Sequence, residues 1–180
     1  MENSVKVSVK SFFAAVMLAF STCGHAGLAD PLFVSSDGHV TLNYLGYEAG
    51  YTNTLWLHSP VHSGPIFVNK TTPIGTVFDL GIFPAGTPLT FSIFVHNTGY
   101  TFLSGSADSN PDDTAHAWID YVSYDLANVG FEDLFNGGDK DYNDLRFSVA
   151  NVGQVPEPSA LALVFAGLLL AGLSRARARS

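Results

Sequence analysis

The chain has a single cysteine, Cys23, among 180 residues. It can form no internal disulfide and no zinc site built on cysteine ligands. Positive charge is scarce as well. Between Gly27 and Val155 only Lys70, Lys140 and Arg146 stand against fourteen acids, so that stretch sums to −11. A surface of that sign repels nucleic acid and anionic lipid and attracts cations. Charged residues make up only 13% of the chain and are matched by the aromatics. That balance, with much Val, Thr and Gly, suits an exported all-β domain better than a helical cytosolic one. The sequence contains no G-x-S-x-G, no phosphate-binding glycine loop and no H-E-x-x-H. The usual signatures of hydrolases, nucleotide enzymes and zinc proteases are therefore missing. An exported domain without disulfides needs a sufficient core or a metal for stability.

What is present divides into a leader, a β-rich middle and a tail. Residues 1–26 read as a secretory signal peptide. Lys6 and Lys10 precede the apolar run Phe12–Phe20, and Gly24-His25-Ala26 offers small residues at a cleavage site. A short buried helix is the competing reading. A lipoprotein cut before Cys23 fits poorly with Phe20 and Thr22.

From Asp30 to Tyr124 the pattern predicts short strands at Val40–Leu45, Leu55–Leu57, Ile66–Val68, Thr76–Leu80, Leu89–His96, Thr101–Leu103 and Ala115–Tyr124. Each is rich in β-branched or aromatic residues and bounded by Gly, Pro, Asn or Ser. Leu89, Phe91, Ile93 and Val95 alternate with Thr90, Ser92, Phe94 and His96, as a half-buried strand requires. Leu145–Val149 reads as a further strand. The expectation is an all-β fold: one β-sandwich or jelly-roll-like domain over 27–150, flanked by an N-terminal signal helix and a C-terminal transmembrane helix. Ser104–Thr114, with Asp108, Asp112 and Asp113, is a polar loop that could lend one oxygen to a nearby cation.

The chemistry concentrates in Gly130–Phe147, GFEDLFNGGDKDYNDLRF. Calcium takes six to eight oxygens, mainly from carboxylates, amides, carbonyls and water. Asp139, Asp141 and Asn143 occupy positions 1, 3 and 5 of a turning loop, and Asp144, Glu132 and Asp133 add carboxylates. Position 6 is Asp144 and position 12 is Ala150, so this is no EF-hand, which needs Gly and Glu there. Gly137-Gly138 permits a tight reversal. Zinc and copper fit poorly because the stretch lacks Cys and His. The expected metal ligands are Glu132, Asp133, Asp139, Asp141, Asn143 and Asp144, with calcium as the cation. A solvated turn and a catalytic carboxylate pair are the alternatives.

Other constellations are weaker. His58 and His62 have the H-x3-H spacing of a helical zinc site, but Pro60, Ser63, Gly64 and Pro65 argue against a helix. Tyr44, Tyr47, Tyr51, Trp56 and Trp118 are either sugar-stacking platforms or β-core.

Residues 151–159 form a linker with prolines at 156 and 158, and Ser159 can cap a following helix. The apolar run Ala160–Leu173 would reach about 21 Å as a helix, short of the ~30 Å hydrocarbon core. Arg175, Arg177 and Arg179 at its end can snorkel and hold that end in the cytoplasm. A transmembrane helix over 160–174 and an Arg-rich tail over 175–180 follow. A buried core helix is the alternative.

Two resemblances join these readings. Pro156-Glu157-Pro158, the apolar helix and the arginine tail resemble the PEP-CTERM sorting signal of Gram-negative bacteria. That resemblance implies recognition of the tripeptide by an exosortase, a transient inner-membrane anchor, and a final place at the cell surface or in the matrix of an exopolysaccharide-making species. Val129–Leu134, Gly137-Gly138-Asp139 and Asp141–Asp144 followed by Leu-x-Phe resemble the signature of the domain of unknown function 4114, over about Thr76–Val149. The departure is Asn136, where a third glycine is common; it matters only if that position needs a positive φ. This second resemblance implies an extracellular β-domain with a cation site and no enzyme. The function expected is a non-enzymatic, calcium-stabilised surface or biofilm-matrix protein. Its partners are the export machinery and an exosortase. The alternative is a calcium-dependent carbohydrate-binding or adhesive module gripping exopolysaccharide.

Overall fold

A computed structural model of the chain describes residues 27–28 and 31–153. The expected signal helix, the Pro156-Glu157-Pro158 motif, the helix over 160–174 and the arginine tail lie outside the described residues. Among the described residues no helix is long and apolar enough to cross a membrane.

The all-β expectation holds. In chain order the strands are β1 (Gly27–Leu28), β2 (Leu32–Val34), β3 (Gly38–Gly46), β4 (Asn53–Ser59), β5 (Phe67–Val68), β6 (Val77–Phe83), β7 (Pro88–Val95), β8 (Thr101–Leu103), β9 (Ala117–Ser123), β10 (Leu126–Phe131), β11 (Leu145–Ala150) and β12 (Val152–Gly153). They form two antiparallel sheets. One runs β1-β9-β10-β11-β3-β6; the other runs β12-β2-β7-β4-β5, with β8 also on β7.

The alternation that predicted the strands also decides what the sheets bury. On β7, Leu89, Phe91, Ile93 and Val95 are buried, and on β11 so are Leu145, Phe147 and Val149. Phe91 and Phe147 meet across the interior at 5.1 Å between ring centroids. The sheets therefore pack face to face around one core, to which β2, β3, β4, β9 and β10 add side chains.

Two departures from the sequence expectation affect the site. The strand β10, absent from the expected set, lies at the heart of the first sheet between β9 and β11. The domain also runs past residue 150. Val152 and Gly153, assigned to the linker, pair with Val34 and Phe33 in the second sheet. The chain crosses from one sheet to the other at Asn151, whose φ of 63° makes the corner.

Candidate metal centre

The acidic segment is the connection between β10 and β11. Its ends are pinned by continued pairing. The Glu132 amide donates to the His116 carbonyl at 2.9 Å, and the Asp144 amide to the Phe131 carbonyl at 3.0 Å. Between these points the backbone turns left-handed at Asn136 (φ 66°), Gly137 (75°), Gly138 (48°), Lys140 (63°) and Tyr142 (52°). Lys and Tyr pay roughly 1–2 kcal/mol each for that conformation, and such strain clusters at ligand clamps. Position 136 does need a positive φ, and Asn is the non-glycine residue that tolerates it best. The departure from the glycine-rich signature is thereby accommodated.

Positive-φ residues at 138, 140 and 142 alternate with Asp139, Asp141 and Asn143. The result gathers Glu132, Asp139 and Asp141. Each offers an oxygen, and the three oxygens lie within 4.8 Å of one another. Glu132 is 1% exposed and forms the inner wall, while Asp139 and Asp141 are open to solvent. Glu132 is held by the Tyr142 amide, which donates to Oε1 at 2.6 Å. Its Oε2 lies so close to Gly138 that a Cβ there would sit 2.6 Å away.

Burial pushes the Glu132 carboxyl up to about 7. The Tyr142 hydrogen bond opposes this, and the charges of Asp144, Asp139 and Asp141 add to it. The Asp144 carboxyl is likewise raised, first by burial and then by Asp133 and Asp141, against the pull of the Asp133 amide. Crowded carboxylates of this kind are stabilised in their charged form by an opposite charge.

Of the six expected ligands, the fold brings three to one point. Asn143 acts on a neighbour instead, with its backbone and side-chain N–H groups donating to the Asp141 carboxylate. Asp133, 3% exposed, turns inward. Its amide donates to Asp144 Oδ2 at 2.9 Å and its own Oδ2 accepts from Asn53 Nδ2 at 2.7 Å. Asn53 begins β4 in the opposite sheet, and nothing in the local sequence marks it.

Asp112, one of the three aspartates of the polar loop that could lend an oxygen to the cation, braces the acidic loop from behind. Its Oδ2 accepts from the Asn136 amide at 2.6 Å and lies 2.9 Å from His116 Nε2. Both side chains of the Asp112–His116 pair are fully buried. His116 Nδ1 faces the Glu132 carbonyl at 3.0 Å, and its ring stacks on Phe102 at 3.6 Å. Burial pushes the Asp112 carboxyl up, but the His116 contact and the Asn136 and Thr114 amides outweigh it and hold the group below its ordinary value.

The aromatic candidates separate cleanly. Tyr44 is wholly buried and donates its hydroxyl to the Asn69 carbonyl at 2.8 Å. Trp118 is 40% exposed on the outer face of β9, its ring 6.1 Å from that of Tyr142. Together with Asp120, Asn128, Asp141 and Arg146 these two rings line an open groove of about 520 Å³. His58 is exposed in β4, and His62 Nδ1 contacts the Gly64 carbonyl at 3.1 Å. The H-x3-H spacing is thus spread over a strand end and a turn, as the prolines implied.

No curated protein and no solved structure matches the chain. A family model does: its match begins just before β6, takes in the whole acidic loop and ends at the Asn151 corner. Residues 74–151 match the model of DUF4114, a domain of unknown function.

Proposed function

We propose that this chain is an exported, non-enzymatic surface or matrix protein whose β-domain is clasped by calcium at Glu132, Asp139 and Asp141. The observation that carries the reading is the convergence of three carboxylates within 4.8 Å, one buried and two open to solvent. A calcium ion there offsets part of the loop's negative charge, and water completes its shell of six to eight oxygens. The ion also holds the left-handed turns in place. The leader over 1–26 and the Pro156-Glu157-Pro158 tail supply the export and sorting part of the proposal.

The test is thermal unfolding with calcium and with chelator. At a calcium concentration about 100 times Kd, stability should rise by about 2.7 kcal/mol, which is roughly 5–10 °C. Asp139→Ala with Asp141→Ala should abolish the shift, and an unchanged melting temperature in millimolar calcium sinks the metal reading. The pH dependence has a definite sign. Glu132 binds its proton more tightly folded than unfolded. Between its ordinary value near 4.5 and about 7 the native state therefore holds more protons, and metal-free stability falls as pH rises. Calcium replaces those protons, so its stabilisation should be larger at pH 8 than at pH 5.

The sorting part has its own readout. Glu157→Ala should leave an uncleaved, membrane-bound form in the producing cell; normal maturation of that variant removes the exosortase from the proposal.

The groove favours a second reading, a calcium-dependent glycan-binding module. Exposed Trp118 beside Tyr142 offers a stacking surface for a sugar ring. Asp141 belongs to both the groove and the carboxylate triad, so sugar hydroxyls could complete the calcium shell. Calcium-dependent retention on acidic or neutral polysaccharide should be lost in Trp118→Ala, with the calcium-induced melting shift intact. A blank glycan array in calcium eliminates this reading.

A further inference from the structure

The open groove on the outer face of the first sheet carries more than its two rings. Between Gly27 and Val155 the basic residues are Lys70, Lys140 and Arg146. Two of these three, Lys140 and Arg146, line the groove. Lys70 is engaged elsewhere, on the Gly50 carbonyl. In a stretch that sums to −11, this is where positive charge gathers. Strand register fixes the layout. Gly130 pairs with Trp118 on β9 and with Arg146 on β11, so the three stand in one row across the sheet. Trp118 and Arg146 are therefore roughly 10 Å apart at the backbone, twice the spacing of neighbouring strands. The Tyr142 carbonyl rests on Gly130 between them. The groove thus has aromatic rings toward β9 and a guanidinium on β11, and Lys140 adds a second cation from the loop.

The fold consumes neither cation. Among the described residues Lys140 makes no ion pair. Arg146 meets Glu48 through one nitrogen at 3.5 Å, between side chains that are both open to solvent. Exposed pairs of that kind contribute little. A guanidinium carries five N–H donors in a fork that suits a carboxylate, and Arg146 Nε has no hydrogen-bond partner. Of the two acids in the groove, Asp141 belongs to the carboxylate triad. Asp120 is left, beside Asn128 on the next strand, to accept from hydroxyl groups.

We propose that the groove is selective for acidic glycans. A sugar ring stacks on Trp118 and Tyr142, while a carboxylate on that ring or the next meets Arg146 and Lys140. This rests on the glycan-binding reading above and names the class of sugar that it takes. Rings beside cations also suit single-stranded nucleic acid. Nucleic acid, however, draws its affinity from many phosphate contacts, and two cations do not supply them. One sugar carboxylate needs no more than two.

The experiment measures binding to the full-length chain in calcium by isothermal titration calorimetry. The probes are a glucuronic-acid-bearing and a galacturonic-acid-bearing oligosaccharide, each beside the same oligosaccharide with its carboxyl reduced to an alcohol. At least one acid probe should bind about tenfold or more tightly than its neutral counterpart. That comparison uses the wild type and does not depend on any variant folding. Lys140→Gln with Arg146→Gln should remove the preference while the neutral probe binds as before, and a retained calcium-induced melting shift shows the variant folded. Trp118→Ala should weaken acid and neutral probes alike. Equal affinity for the two forms overturns the proposal and leaves the glycan reading standing, whereas no binding of any probe overturns both. An acid preference that survives the double glutamine variant overturns the proposal, and so does binding of oligothymidylate in place of the sugars.

Discussion

Residues 74–151, produced as an isolated fragment, are expected to remain unfolded. The family match ends at sequence boundaries that the sheets do not respect. β6 is hydrogen-bonded to β3 and lies at the end of its sheet, and β3 is also the second neighbour of β11. Removing residues before 74 deletes β3 and leaves β6 with no partner strand. In the second sheet it deletes β2, β4 and β5, leaving β7 with only β8. The core loses Leu32, Val34, Val40, Leu42, Tyr44, Leu55, Leu57 and Phe67, all at 3% exposure or less. At roughly 1.5–3 kcal/mol for each buried large side chain, the loss exceeds the usual net stability of about 5–15 kcal/mol. Circular dichroism and proton NMR of the fragment decide the matter. A dispersed spectrum with cooperative melting would show that the matched segment folds by itself.

Gly130→Ala should destabilise the whole domain by about 3 kcal/mol or more, a fall in melting temperature of roughly 10 °C. Gly130 lies in β10 opposite Arg146 on one side and Trp118 on the other. A Cβ there would be 2.1 Å from the Tyr142 carbonyl oxygen. The obstacle is backbone, and that backbone is not free to move. The Tyr142 amide is bound to Glu132, and the next carbonyl, of Asn143, accepts from the Glu48 amide at 3.0 Å. Relieving the clash means lifting the acidic loop off the sheet, so the variant should also lose calcium affinity. Gly50→Ala is the matched control, because a Cβ at Gly50 meets nothing within 4 Å. Equal melting temperatures for the two variants would remove the argument that Gly130 exists to seat the loop.

Both predictions turn on features that differ in how visible they are before folding. The strands β3–β9 and β11 are legible because each is a short run rich in β-branched or aromatic residues between turn residues, and in β7, β9 and β11 apolar and polar residues also alternate, which depends only on neighbours two positions apart. Strand β10, Leu126–Phe131, hides because of the residues it uses. Its buried Ala127, Val129 and Phe131 do alternate with Asn128 and Gly130, but Asn and Gly are residues that strands disfavour and turns favour, and they stand where the groove opens on the outer face and the Tyr142 carbonyl presses down. The two-residue strand β12 has no pattern to read; pairing with β2 creates it.

The metal centre divides in the same way. The 1-3-5 spacing of Asp139, Asp141 and Asn143 and the glycine pair at 137–138 are local properties of one loop, so the sequence alone determines that carboxylates crowd at this turn. It also determines the all-β class, the sign of the surface charge and the match of residues 74–151 to a family model. Which acids share an ion is another matter. Glu132 joins Asp139 and Asp141 because β10 ends where it does, while Asp133, one residue on, faces the opposite way because side chains alternate along an extended chain. The Asp112–His116 brace requires β9 to lie beside β10, and Asn53 requires the second sheet to close over the first. The Asn136–Asp112 and Asn53–Asp133 contacts join residues 24 and 80 positions apart, and only the packing of two sheets on one core brings them within hydrogen-bonding distance.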